Sequence, residues 1–133
     1  MAAGAVDKSG RTALMFAAQN GDYATARSLL IEGVDVNAKD NNGNTALMHA
    51  SSGGKVDTVR TLLYAGANVN AKNKRNRTAL IIAVVHGDVE VVNLLLNEGA
   101  DVSMKDKDGK TAFMIANIKD QEKICRLILS VGL

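Results

Sequence analysis

Residues 11–18 read Arg11-Thr12-Ala13-Leu14-Met15-Phe16-Ala17-Ala18. The pattern returns as Thr45-Ala46-Leu47-Met48-His49-Ala50, Thr78-Ala79-Leu80-Ile81-Ile82-Ala83 and Thr111-Ala112-Phe113-Met114-Ile115-Ala116. The four threonines lie 33 residues apart without drift. A fixed period of this size marks a solenoid, in which each unit buries its apolar face only by stacking on its neighbours. Four copies fill nearly all of the 133 residues, so the chain reads as one domain over 1–133, with repeats 7–39, 40–72, 73–105 and 106–133. Other columns keep the register: Leu30, Leu63, Leu96 and Leu129; Gly33, Gly66, Gly99 and Gly132; and Asp7, Asp40 and Asp106, with Asn73 in the third copy.

These columns resemble the ankyrin repeat, whose consensus runs roughly D-x-x-G-x-T-P-L-H-x-A-A-x-x-G-x-x-x-V-V-x-L-L-x-x-G-A-D-V-N. The second copy, from Asp40-Asn41-Asn42-Gly43-Asn44-Thr45-Ala46-Leu47 to Gly66-Ala67-Asn68-Val69-Asn70, matches nearly throughout, and the resemblance covers residues 7–133. It implies an all-α solenoid of four helix-turn-helix repeats with β-hairpin-like finger loops. It also implies a non-enzymatic protein-binding module whose concave face and finger tips hold the partner. Two departures are regular. Ala13, Ala46, Ala79 and Ala112 stand where the family has Pro, and Met15, Met48, Ile81 and Met114 replace its His. In the family that His ties neighbouring repeats, so one inter-repeat hydrogen bond is expected to be missing.

Each copy reads as a turn, two short antiparallel helices and a loop. The threonines suit N-caps, their hydroxyls taking an orphan backbone N–H. Gly21, Gly54 and Gly87 suit the left-handed end of the first helix, with Asp120 a poorer substitute in the fourth copy. The second helix carries an i, i+3, i+4 stripe: Ala26, Leu29, Leu30; Val59, Leu62, Leu63; Val92, Leu95, Leu96; and Cys125, Ile128, Leu129. That stripe is the expected buried face, with Cys125 as a small buried hydrophobe. Ala24, Thr25, Arg27 and Ser28 at one end, and Lys119, Glu122, Lys123, Arg126 and Ser130 at the other, read as polar caps. Leu127 is the expected apolar exception on the last cap, and the four repeats read as a nearly complete array.

Composition narrows the function. Hydrophobic residues make up 47% of the chain, which argues against disorder, and no 18-residue apolar run proposes a membrane helix. Residues 1–6 lack the basic start and apolar stretch of a secretory signal, so a cytoplasmic location is expected unless a leader was removed. The single Cys125 excludes an internal disulfide framework. His49 and His86 fall at different repeat positions, and neither stands at metal-ligand spacing from Cys125 or a carboxylate. No nucleophile elbow, phosphate loop or acid–base constellation is present, so neither an enzyme nor a cofactor is expected.

Net charge is only +2, but ten of the sixteen Lys and Arg residues fall on the finger edge. Lys8, Arg11, Asn44, Lys74, Arg75, Arg77, Lys107 and Lys110 occupy tips or their bases, and Lys39, Lys72 and Lys105 precede the later fingers. The run Lys72-Asn73-Lys74-Arg75-Asn76-Arg77 contains no acid. Acids gather instead on the second helices, while the Asp7, Asp40 and Asp106 column is expected to support the turns. On the groove floor Val85, His86, Ile118 and Lys119 end the first helices of the third and fourth copies. These residues together form the expected partner site, for a protein with an acidic surface and with no small-molecule substrate. The chain is expected to be a monomer by itself, acting as an inhibitor or scaffold. A nucleic-acid or anionic-surface binder is the alternative, opposed by an aromatic content of only 3% and no aromatic among the tips. A structural segment of a longer repeat protein is the third reading.

Overall fold

The computed structural model describes residues 6–131, so Gly132 of the glycine column lies outside the described residues. Eight helices follow one another: α1 Ala13–Asn20, α2 Tyr23–Ile31, α3 Ala46–Ser52, α4 Val56–Tyr64, α5 Ala79–His86, α6 Val89–Asn97, α7 Ala112–Ile118 and α8 Glu122–Ser130. Among the described residues the only strand-like pairing is an isolated bridge between Val6 and Thr12. None of these helices is long and apolar enough to cross a membrane.

The local signals do what their chemistry predicts. Thr12, Thr45, Thr78 and Thr111 are extended at the backbone, and their hydroxyls accept from the N–H groups of Met15, Met48, Ile81 and Met114 at 3.2–3.3 Å. Asp22 and Asp88 cap α2 and α6 through the N–H groups of Thr25 and Val91, whereas Lys55 and Gln121 supply no side-chain cap to α4 and α8. Asp120 does adopt the left-handed conformation of the glycines it replaces, at φ 58°.

The first helices α1, α3, α5 and α7 stack in one layer and the second helices α2, α4, α6 and α8 in another, with each pair also packed within its repeat. Leu14, Leu47 and Leu80, with Met15, Met48 and Ile81, are buried in the first layer, and Ala17, Ala50, Ala83 and Ala116 let the two layers approach. Val59, Leu62, Val92, Leu95 and Ile128 fill the second. Each of these larger side chains contributes roughly 1.5–3 kcal/mol on burial. Asparagines tie neighbouring repeats at the loops after the second helices. Asn37 Oδ1 accepts from the N–H of Asn68 and Asn70 Oδ1 from that of Asp101, both at 2.7 Å.

The expected stripe is corrected in two places: Leu29, Leu30 and Leu63 are only half-buried, and the last repeat departs further. Leu129 is 52% exposed and Cys125 only half-buried, although Ala26, Val59 and Val92 in the column of Cys125 are fully covered. Met114 is likewise exposed where Met15, Met48 and Ile81 are buried. These positions are covered from both sides only when another repeat follows, and among the described residues none does. Leu127, expected to be the open apolar spot, packs half-buried against the core beside Ile124 and Ile128.

Two buried hydroxyls in the second repeat, Ser51 Oγ and Thr58 Oγ1, find no hydrogen-bond partner among the described residues. Thr58 is 1% exposed, and the same column carries Val91 and Ile124 in the later repeats. Thr58→Val exchanges a buried hydroxyl for a methyl of similar size, so it is expected to stabilise the fold by about 1 kcal/mol. A higher urea midpoint is the expected reading; a lower one would show that the hydroxyl is hydrogen-bonded in solution.

Candidate binding surface

The finger loops are built by one device repeated four times. The Oδ1 atom of Asp7, Asp40, Asn73 or Asp106 accepts from the backbone N–H groups two and four residues ahead, at 2.8–3.0 Å. This is an Asx turn extended by one further bond. Each turn reverses through a left-handed residue, Gly10, Gly43 and Gly109 near φ 78° and Asn76 at 58°. At Gly43 the need for glycine is double, since a Cβ there would lie 3.0 Å from the backbone nitrogen of Lys74. Successive fingers are tied at their tips, where the N–H groups of Asn41, Lys74 and Lys107 donate to the carbonyls of Ser9, Asn42 and Arg75 at 2.8–3.0 Å. The tip side chains therefore form a fixed row rather than four independent loops.

Between the second and third fingers this row opens into a cleft of about 420 Å³. Lys74, Arg75 and Arg77 form its third-finger wall, with Asn42, Asn44 and Asn73 beside them. Met48, His49, Ser52, Ile82, Val85 and His86 supply the floor. Not one Asp or Glu lines it. The substitution of Asn73 for the aspartate of the other copies contributes directly, because it places an amide at this wall. Its Nδ2 donates to Asn44 Oδ1 at 2.9 Å. Ser52 Oγ and His86 Nε2, 3.2 Å apart, bridge the two repeats across the floor.

The edge between the third and fourth fingers differs. Two smaller cavities of about 250 and 200 Å³ bring Arg77 together with Lys107, Lys110, Val85, Ile118 and Lys119, but Asp106 and Asp108 line both. Asp106 Oδ2 lies 3.9 Å from Arg77 Nε, so its carboxylate is partly matched within the chain. Ile118 is 68% exposed and offers apolar surface beside these charges.

The expected site residues therefore divide. Asn44, Lys74, Arg75, Arg77, Val85 and His86 converge on the large cleft, while Lys107, Lys110, Ile118 and Lys119 gather at the next one. Lys39, Lys72 and Lys105 line none of the three, and Lys39 Nζ instead donates to the carbonyl of Lys72 at 3.0 Å. Arg11 lies apart in the first repeat, its guanidinium 5.4 Å from the centre of the Phe16 ring. Met48, His49, Ser52 and Ile82 were not among the expected residues. The spacing held a signal for three of them: Ser52 shares the column of Val85 and Ile118, Ile82 and Ile115 stand three residues before those two on the same helical face, and His49 shares the column of Ile82.

His49 has a structural task. Its Nε2 contacts Asp40 Oδ2 at 3.0 Å, joining the base of the second finger to α3. Burial by itself pushes the Asp40 carboxyl up. The N–H of Asn44, the His49 ring and the N–H of Asn42 outweigh it and hold the carboxyl below its ordinary value. Among the described residues no three His, Cys, Asp or Glu side chains gather as a metal-holding group.

A family model described as ankyrin repeats (3 copies) matches residues 2–73 and 65–133. No curated protein matches the chain.

Proposed function

The chain belongs to the ankyrin-repeat family, and from that premise we propose that it is a non-enzymatic binder of a protein with an acidic surface, held in the cleft between the second and third fingers. Ankyrin repeats are generally protein–protein interaction modules, so what this chain adds is the chemistry of its own face. The carrying observation is that the cleft joins three cations, two imidazoles and several amide groups with no carboxylate in its lining. Guanidinium groups in such a setting suit carboxylates through paired hydrogen bonds. Val85 and Ile82 supply the apolar floor that an interface core needs, inside a polar rim. The tip-to-tip hydrogen bonds keep the row preformed, which lowers the ordering cost of binding. In this reading the basic rim sets the association rate and the floor sets the residence time. The aspartates of the fourth finger favour the large cleft over the whole edge as the acid-binding centre. Inhibition and scaffolding use the same geometry.

The test compares wild type with Lys74→Glu/Arg75→Glu/Arg77→Glu in a pull-down from source-cell lysate treated with nuclease. A partner held by wild type and lost by the variant is the expected result. With that partner purified, the variant's association rate at low salt is expected to fall at least about tenfold. Equal retention by both proteins would remove the interface from this cleft. Loss of all binding on nuclease treatment would favour nucleic acid instead.

A further inference from the structure

On the other helix layer lies a second groove, of about 690 Å³, formed by the C-terminal ends of α2 and α4. Arg27, Leu30, Ile31, Arg60, Tyr64 and Ala65 line it, and it shares no residue with the finger clefts. Ile31 is 79% exposed and Tyr64 96% exposed, the two most open of the large apolar residues among those described. The repeat itself does not require them, because the same column carries Asn97 in the third copy and Ser130 in the fourth. Two neighbouring helices thus spend apolar side chains on a surface where the array tolerates polar ones.

The charges say what would cover it. Arg27 and Arg60 stand four residues before Ile31 and Tyr64, so on each helix a cation lies one turn behind an apolar group on the same face. The two helices repeat this pair side by side. No Asp or Glu lines the groove. Asp57 meets Arg60 at 3.4 Å, but both side chains are more than half exposed, and surface pairs of this kind hold weakly; the exposed Glu32 follows Ile31 at the end of α2 but does not line the groove. An occupant with a bulky apolar side chain and adjacent carboxylates would cover Ile31 and Tyr64 and pair both guanidinium groups.

We propose that this groove is a second docking surface, for a short partner segment with an apolar side chain flanked by carboxylates. Since the two surfaces lie on separate layers, both can be occupied together, and the protein then acts as a bridge rather than only a blocker. The bridging role rests on the reading of the finger cleft; the groove's own occupancy does not.

A dodecamer peptide library displayed on phage is selected on wild type and counter-selected on Ile31→Asn/Tyr64→Asn, whose asparagines copy Asn97 and whose melting should match wild type. The expected peptides join Leu, Ile or Phe to Asp or Glu. A synthetic copy should bind at least tenfold more weakly to Arg27→Glu/Arg60→Glu and equally well to Lys74→Glu/Arg75→Glu/Arg77→Glu. Recovery of no discriminating peptide, or of peptides insensitive to the Arg27 and Arg60 reversals, overturns the proposal. So does concentration-dependent dimerisation of wild type that Ile31→Asn/Tyr64→Asn abolishes, which would give the groove to a second copy. Loss of peptide binding in the finger variant would instead show that the two faces are one site.

Discussion

Leu80→Ala is expected to lower the unfolding free energy by about 3–4 kcal/mol, while Leu129→Ala costs less than about 1 kcal/mol. The deleted atoms are the same, so the difference isolates the effect of position. Leu80 is 1% exposed in α5, packed in the first layer between α3 and α7. Its truncation leaves a cavity that neighbours on both sides would have to fill. Leu129 is 52% exposed on α8, and most of its side chain is already in water. A chain of this size has roughly 5–15 kcal/mol of total stability, so the Leu80 loss is a large part of it. Stacked repeats couple mainly to their nearest neighbours. Weakening the third repeat therefore also uncouples the first two from the fourth, and the urea transition should broaden as well as shift. Circular dichroism through a urea titration reads both effects. Equal costs for the two substitutions would mean that Leu129 is covered in solution.

The fold was legible because a 33-residue period repeats every decision four times. Thr12, Thr45, Thr78 and Thr111 all cap helices, and a single reading of one column carries to the rest. What the period cannot show is where it stops being satisfied. Met114 and Cys125 share columns with buried residues, and Leu129 shares one with buried Leu96 and half-buried Leu30 and Leu63, yet all three open further where no described repeat follows. Column identity fixes the direction of a side chain, whereas burial depends on the neighbour. The basic edge was legible in its charges but not in its divisions. Asp106 and Asp108 lie close enough to Arg77 to alter the second edge, and Asn73 leaves the first free of carboxylate; both are contacts between repeats, 29–31 residues apart in sequence. The outward position of Tyr64 was legible, but its pairing with Ile31 was not, because isolated apolar residues at helix ends are common. Their significance comes from the adjacency of α2 and α4.

Asp40→Ala is expected to cost about 2–4 kcal/mol and Asp40→Asn about 1 kcal/mol or less at neutral pH. Asp40 is 8% exposed, and its Oδ1 holds the N–H groups of Asn42 and Asn44, both at 2.9 Å. Alanine leaves both donors unpaired at the base of the finger and also removes the partner of His49. Asparagine keeps Oδ1, and the protein already demonstrates the exchange. Asn73 holds the N–H groups of Arg75 and Arg77 at 2.9 and 3.0 Å in the third finger. The two variants should also differ in acid. The folded Asp40 carboxyl titrates below its ordinary value, so its contribution is present above the unfolded value near pH 4 and is lost as pH falls through the folded one. Asp40→Asn has no such carboxyl, and its stability should fall less between pH 5 and pH 2 than that of wild type. Some acid sensitivity remains, because Asp22 and Asp101 are also held below their ordinary values, by hydrogen bonds from Thr25 and Ser103 respectively. Urea midpoints at pH 7 and in acid, for the three proteins, measure all of this. If Asp40→Asn is as unstable as Asp40→Ala at neutral pH, the Oδ2 contact with His49, and not the turn, is what secures the second finger to α3.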